Sequence, residues 1–221
     1  VMTIGKQVME SLQIHEPELT EDELAVKAQK ALEMVGIQAD RFNDYPHQFS
    51  GGMKQRVVIA IALCCNPELL IADEPTTALD VTIQAQVLDM IRTLRDELQT
   101  SMILITHDLG LVVENCDAVA IIYAGEVVEY GDLIDIFEHA KHPYTVGLFG
   151  CIPSIDQNVH RLKPIEGLMP DPMNLPGGCP FHDRCEHCIE ICRQENPAAV
   201  EITPGHTVKC HLYTEGKEET E

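Results

Sequence analysis

Four apolar residues followed at once by two carboxylates, Leu69-Leu-Ile-Ala-Asp-Glu74, constrain this chain more than any other stretch. The run is too short for a helix and apolar at every position, the pattern of a strand buried on both faces of a parallel sheet. It ends in Asp73 and Glu74, which puts polar chemistry at the C-terminal edge, where open α/β sheets bind ligands. A second buried strand is predicted over residues 102–105, ending at Thr106-His107-Asp108. Between the two, Ile83, Val87, Ile91, Leu94 and Leu98 repeat at helical spacing along one face. Strand, helix, strand in this order predicts an α/β layer with a right-handed crossover.

The flanking segments are helical on one side and irregular on the other. Residues 1–12 predict a short helix. Thr20 and Glu23 form a capping box, Leu24, Ala28, Ala31, Leu32 and Val35 line the face of the helix that follows, and Gly36 suits its C′ position. After a loop containing Tyr45-Pro46, Ser50 starts a further helix running to about Cys65. Residues 118–123 and 126–129, joined by Ala124-Gly125, predict a hairpin. Short helices are expected over 132–139 and 143–150. From Pro153 to Pro180 the chain is rich in Pro and Gly with little periodicity, the texture of a unit that needs a metal or disulfide to hold together.

Composition narrows the classes. Lys+Arg 15 against Asp+Glu 36 gives a net charge of −21, which argues against a nucleic-acid binder and fits a solvated acidic surface with an acidic tail over residues 215–221. The apolar runs fall short of the ~20 residues of a membrane span, and the first residues lack the charged-then-apolar pattern of a signal peptide. A soluble, cytoplasmic chain is expected. Of its nine cysteines, Cys179, Cys185, Cys188, Cys192 and Cys210 cluster near the end, which in a reducing compartment suggests metal ligation before disulfides.

The candidate site residues fall at strand and helix ends. Ser50-Gly51-Gly52 at a helix N-terminus offers free N–H groups and the positive end of the dipole to an anion such as a phosphate, although a plain helix cap has the same look. Asp73 is placed to hold Mg²⁺, directly or through water. Glu74 is placed to orient and polarise an attacking water as general base. The alternative for this pair is two carboxylates in a solvated turn. His107 ends the neighbouring strand in the same way and is either a phosphate contact or an ordinary strand-end histidine. Asp80 is a cap for the Ile83 helix, a link across a subunit boundary, or both. Together these segments point to ATP hydrolysis.

They also resemble the ATP-binding-cassette (ABC) family. Phe49-Ser-Gly-Gly-Met-Lys-Gln-Arg56 is similar to its signature motif, residues 69–74 to Walker B, Ala78-Leu79-Asp80 to the D-loop and His107 to the switch histidine. The resemblance covers residues 1–131. It implies an α/β fold made of a helical subdomain with the signature motif (1–66), part of a RecA-like parallel sheet (67–131) and a small irregular metal-binding extension (132–221). It implies ATP and Mg²⁺ as ligands, Glu74 and His107 as catalytic groups and Asp73 as the magnesium carboxylate. Ser50, Gly51, Gly52 and Gln55 would contact ATP held by a second, homologous subunit in a head-to-tail dimer. The family also carries a G-x-x-x-x-G-K-[ST] loop, which is absent here: Gly5-Lys6 is followed by Gln7 and Gly216-Lys217 by Glu218. Val1-Met-Thr-Ile-Gly resembles the stretch just after the family's glutamine loop, so an N-terminally truncated ATPase, inactive by itself, is expected.

The C-terminal segment resembles the extension of ATPases that serve oligopeptide and dipeptide importers, through residues 140–153 and through Gly177-Gly-Cys-Pro-Phe-His-Asp-Arg-Cys185. That resemblance implies transmembrane permease subunits and, indirectly, an extracytoplasmic solute-binding protein as partners, and a place on the cytoplasmic face of the membrane. In that family a C-x₅-C-x₆-C-x₁₇-C spacing holds a [4Fe–4S] cluster, and Cys179, Cys185, Cys192 and Cys210 reproduce it. Zn²⁺ is the alternative for four thiolates. Cys188 is a competing ligand or a spectator. Cys64, Cys65, Cys116 and Cys151 are expected as small core residues, and His182, His187, His206 and His211 as surface groups. Two other functions remain open: an ABC-type ATPase of DNA repair or chromosome maintenance, against which the acidic balance speaks, and an inert metal-binding interaction module.

Overall fold

A computed structural model describes residues 1–77, 79–151 and 164–214 of the 221. Three expectations fall partly or wholly outside the described residues: Ala78 of the Ala78-Leu79-Asp80 motif, the first part of the Pro/Gly-rich stretch and the acidic tail. The chain divides into two compact units, Val1–Asn115 and Cys116–Glu221.

The first unit begins with three helices: α1 (Ile4–His15), α2 (Glu21–Met34) and α3 (Gly51–Leu63). Each buries a stripe at three- and four-residue spacing. Ile4, Val8 and Leu12 of α1 meet Leu24, Ala28, Ala31 and Leu32 of α2 and Val57, Ile59, Ala60 and Leu63 of α3 in one apolar core. The capping box predicted for α2 is formed. Thr20 Oγ1 accepts from the Glu23 N–H, and the Thr20 N–H donates to Glu23 Oε2 at 2.9 Å. Gly36 closes α2 at φ +76°, and its N–H donates to Glu33 O. The connection before α3 is more ordered than the expected loop. It holds two 3₁₀ turns, Ala39–Asn43 and Pro46–Gln48, with Pro46 at the first position, where a missing N–H costs nothing.

The unit continues with β1 (Leu69–Asp73), α4 (Val81–Leu98), β2 (Ser101–Ile105) and α5 (Leu109–Asn115). The strands pair in parallel, from Leu69 opposite Ser101 to Asp73 opposite Ile105. The connecting α4 buries Val87, Leu88, Ile91 and Leu94. One expectation is corrected. Leu70 and Ala72 are buried, but Leu69 is 48% and Ile71 61% exposed, and Ile103 and Ile105 of β2 are exposed too. An all-apolar strand is buried twice only where a layer covers each face. Here one face joins the helical core and the other meets solvent.

The second unit is built on an antiparallel sheet in the order β3-β4-β6-β5, from β3 (Ala118–Tyr123), β4 (Glu126–Asp132), β5 (Val200–Thr203) and β6 (His206–Val208), with α6 (Leu133–Glu138) and α7 (Pro143–Gly150) between β4 and β5. The predicted β3–β4 hairpin turns through Ala124 and Gly125, both at positive φ (49° and 83°), the geometry of the I′ turn that matches strand twist. The expected irregular extension is corrected here, because β5 and β6 join the hairpin's sheet. Among the described residues Glu129, His142, Thr145 and His206 are fully buried polar side chains. Glu129 accepts from the Lys141 N–H (2.6 Å) and the His142 N–H (3.0 Å), and its Oε1 lies 2.9 Å from His206 Nε2. The buried carboxylate thus ties β4 to the start of α7 and to β6. Tyr123, Tyr144 and Phe181 pack nearby with ring centroids 4.6 to 5.5 Å apart.

Candidate functional site

The parallel register that sets Asp73 opposite Ile105 also brings the next residues of each strand together. The chain leaves β1 with Glu74 in the left-handed region, at φ 47°. A glutamate there is strained by roughly 1–2 kcal/mol, and the conformation is held from several sides. The Glu74 N–H donates to Ile105 O at 2.9 Å, Thr77 Oγ1 donates to Glu74 Oε2 at 2.8 Å, and the Thr77 N–H donates to Glu74 O. The result aims the Glu74 carboxylate across the strand ends, where Oε1 meets His107 Nδ1 at 2.7 Å. Both groups remain accessible, with side chains 39% and 84% exposed.

Each partner sets the other's charge. The hydrogen bond from His107, with that from Thr77, holds the Glu74 carboxyl below the usual carboxylate range. The same bond and the charge of Glu74 raise His107, and Asp108 adds to the effect. The site therefore presents an ionised carboxylate beside a histidine biased toward its cationic form. The carboxylate can orient and polarise a water, and the imidazolium can donate to an anion. Asp73, exposed at the end of β1, supplies hard oxygens of the kind Mg²⁺ takes. Sequence reasoning did not single out Thr77; its place in the turn three residues after Glu74 was the available signal.

Ser50 is the N-cap of α3, and its Oγ accepts from the Met53 N–H at 3.3 Å. That leaves the hydroxyl proton free to point outward. The two glycines differ. A Cβ on Gly52 would stand 2.8 Å from Ile83 Cγ2, while one on Gly51 would meet only Leu79 at 3.9 Å. Gly52 thus lets the start of α3 approach the start of α4, whose N-cap is Asp80, with Oδ1 accepting from the Ile83 N–H at 3.0 Å. The structure brings Glu74 to His107 and the Ser50-Gly51-Gly52 corner to the Asp80 corner. Gln55 lies half-buried on α3. Arg56, given no role by sequence reasoning, donates to Val35 O at 2.9 Å and ties α3 to the end of α2.

In the second unit Cys179, Cys192 and Cys210 are buried and Cys185 is half-buried. The Cys179 N–H donates to Cys192 O at 2.8 Å. Gly178, at φ +74°, allows this approach, since a Cβ there would lie 2.3 Å from the same oxygen. Burial raises the thiols of Cys179, Cys185 and, to about 11, Cys210, and each is raised further by the charge of neighbouring cysteines. Yet among the described residues no three His, Cys, Asp or Glu side chains gather in a way that could hold a metal ion. The donor chemistry suits a thiolate-bound metal; the side-chain arrangement does not form its cage. Two of the histidines expected at the surface are buried. His182 Nδ1 lies 2.8 Å from Cys179 O, and His206 is held by Glu129.

Comparison with known proteins matches residues 2–77 to the family described as ABC transporter and residues 128–192 to the family described as Oligopeptide/dipeptide transporter, C-terminal region. The chain is similar to the oligopeptide transport ATP-binding protein AppD of Bacillus subtilis (strain 168), 49% identical over 217 residues, covering 97% of this chain and 66% of that protein. It is 46% identical to the dipeptide transport ATP-binding protein DppD of the same organism, covering 96% and 63%. It is 44% identical to the oligopeptide transport ATP-binding protein OppD of Escherichia coli (strain K12), covering 95% and 62%. The chain thus spans just under two thirds of the length of these curated relatives. A solved structure, the dimeric post-hydrolysis state of the ATP-binding cassette MJ0796 bound to ADP and Pi, superposes with a TM-score of 0.52 at 28% identity, covering 60% of this chain and 57% of that one. Among the described residues no helix is long and apolar enough to cross a membrane.

Proposed function

Because the chain belongs to the ABC transporter family, we propose that it is part of an ATP-hydrolysing subunit that powers import of oligopeptides or dipeptides through a membrane permease. The observation that carries this reading is the 2.7 Å contact between Glu74 and His107 at the ends of two parallel strands, with Glu74 strained into position. In this reading Glu74 takes the role of the group that orients and polarises the water, and His107 donates to the terminal phosphate while fixing Glu74. Asp73 would hold Mg²⁺, which when bound neutralises charge on the phosphates. Ser50, Gly51, Gly52 and Gln55 would close on ATP carried by a second, homologous subunit, with Asp80 at the same boundary; the dimeric MJ0796 structure bound to ADP and Pi supports this arrangement. The permease, and through it an extracytoplasmic solute-binding protein, completes the set of partners, and the subunit sits peripherally on the cytoplasmic face. The strong acidic balance supports a protein partner over a nucleic acid.

The finer reading of the C-terminal segment is a [4Fe–4S] cluster on Cys179, Cys185, Cys192 and Cys210, with Zn²⁺ as the alternative. The spacing of the four cysteines and their electrostatic proximity support it. An anaerobic preparation that is brown and bleaches in Cys185→Ser supports the cluster. A colourless one with stoichiometric zinc supports the alternative.

The test of the principal reading is Glu74→Gln in the protein as the cell makes it. ATP turnover should fall by about 10²-fold or more, and an ATP-bound dimer should accumulate. Unchanged turnover would remove Glu74 from the chemistry.

A further inference from the structure

The Glu74 carboxylate is held at both of its oxygens. Oε1 meets His107 Nδ1 at 2.7 Å, and Oε2 accepts from Thr77 Oγ1 at 2.8 Å. Among the described residues these are the two side chains within hydrogen-bond reach of that carboxylate. The last torsion of a glutamate is broad, so rotamer preference alone does not set the plane of its oxygens. A single donor leaves that plane free to turn about the bond it makes. Two donors, one on each oxygen, fix it. The Thr77 N–H also donates to Glu74 O at 3.1 Å, which closes the turn and keeps the hydroxyl within reach of its target. A β-branched side chain is stiff at its first torsion, so the hydroxyl is preset. A carboxylate offers about four lone-pair sites. Thr77 and His107 each take one, and the rest stay open to a water.

We propose that Thr77 is a positioning residue for ATP hydrolysis, its hydroxyl locking the Glu74 carboxylate in the rotation that faces the attacking water. The role rests on the reading of Glu74 as general base. In that step the water oxygen bonds to the terminal phosphorus, the bridging oxygen leaves with ADP, and Glu74 takes a proton from the water. A carboxylate free to turn is misaligned for part of the time, and misplacing a reacting group by about 1 Å costs up to about 10²-fold in rate. The hydroxyl is engaged by Glu74, so its loss falls on turnover and leaves ATP affinity in place. Because Thr77 is exposed, a side chain of similar shape without the hydroxyl should leave the unfolding midpoint near that of wild type.

Steady-state ATP hydrolysis is measured on the protein as the cell makes it, for wild type, Thr77→Val, Thr77→Ser, Glu74→Gln and the double variant Thr77→Val with Glu74→Gln, with thermal midpoints to verify folding. Thr77→Val should lower kcat about 10-fold and leave KM for ATP within about twofold of wild type. Thr77→Ser keeps the donor and should recover most of that loss. In the Glu74→Gln background Thr77→Val should lower the residual rate no further, because losses within one working unit do not add. Wild-type turnover in Thr77→Val, with Glu74→Gln slow, would overturn the positioning role and leave Glu74 as the base. So would a Thr77→Ser as slow as Thr77→Val, a loss confined to KM, or a loss that recurs in full on top of Glu74→Gln. Unchanged turnover in Glu74→Gln would instead remove the general base, and the role of Thr77 with it. Should Thr77→Val fail to fold, Thr77→Ala removes the same donor without adding an apolar branch and carries the same expectations.

Discussion

At the scale of single residues, the candidate site turns on two groups that set each other's protonation. Glu74 is lowered and His107 raised by the same contact. The lowered carboxyl contributes above its ordinary range and loses that contribution as pH falls through its folded pKa. The raised histidine contributes below its ordinary value and loses it as pH rises through its folded pKa. The pair is thus fully formed only between the two. In Glu74→Gln the imidazole loses both the carboxylate bond and its charge, so the pKa of His107, followed by NMR, should fall toward 6.5; a value as high as in wild type would mean that Asp108 sets it instead. The two glycines separate packing from ligand chemistry. Gly52→Ala should cost about 1–3 kcal/mol, because its Cβ would overlap the β-branched Ile83. Gly51→Ala should leave the unfolding midpoint within the range of ordinary surface changes. Equal losses would place the constraint outside the α3–α4 approach. The caps at Thr20, Ser50 and Asp80 were legible because a cap is written within four consecutive residues. The Glu74–His107 contact joins residues 33 apart, and only the logic of strand ends, with the resemblance, pointed to it. The left-handed Glu74 was not legible at all, since no Gly or Asn marks the turn.

At the scale of elements, periodicity identified α2 and α4, whose buried stripes are regular, while the cap at Ser50 marked α3 and the proline start marked α7. It misjudged β1, because an apolar strand has the same composition whether one face is covered or two. It also passed over β5 and β6. Val200-Glu-Ile-Thr203 alternates, and Pro204-Gly205 is a turn signal, but three- and four-residue strands carry too little pattern unless their partner is known. β6 pairs with β4, nearly 80 residues earlier in the chain, and β5 joins the sheet through β6. The β3–β4 turn carries a further prediction. Ala124 occupies a left-handed position that favours Asn or Gly. Ala124→Asn should therefore stabilise the second unit by roughly 1 kcal/mol, read as a raised thermal midpoint. A lower midpoint would mean the native turn relaxes out of the I′ geometry.

At the scale of the whole molecule, the two units meet acid with different chemistry. In the first unit the site groups Glu74 and His107 are accessible, so their titration is cushioned by water. In the second, His142 is fully buried at the N-cap of α7, where Nδ1 accepts from the Tyr144 N–H at 3.0 Å. Burial lowers its pKa to about 4, and the nearby Glu129 offsets only part of that. A histidine whose folded pKa lies below its unfolded value binds fewer protons when folded. Stability therefore rises with pH between about 4 and 6.5 and falls as the solution is acidified through that window. A shift of this size corresponds to about 3 kcal/mol across the window. The lowered carboxyls Glu23, Glu74 and Glu126 take up protons below their ordinary range, so they bear on the acid end of that window and not on its upper part. His142→Asn keeps a side-chain acceptor for the Tyr144 N–H but has nothing to protonate. Unfolding of the second unit, followed through the near-ultraviolet signal of its packed Tyr123 and Tyr144, should lose most of its dependence on pH between 6.5 and 4 in this variant. If the slope of wild type survives the substitution, the acid sensitivity of this unit does not come from His142.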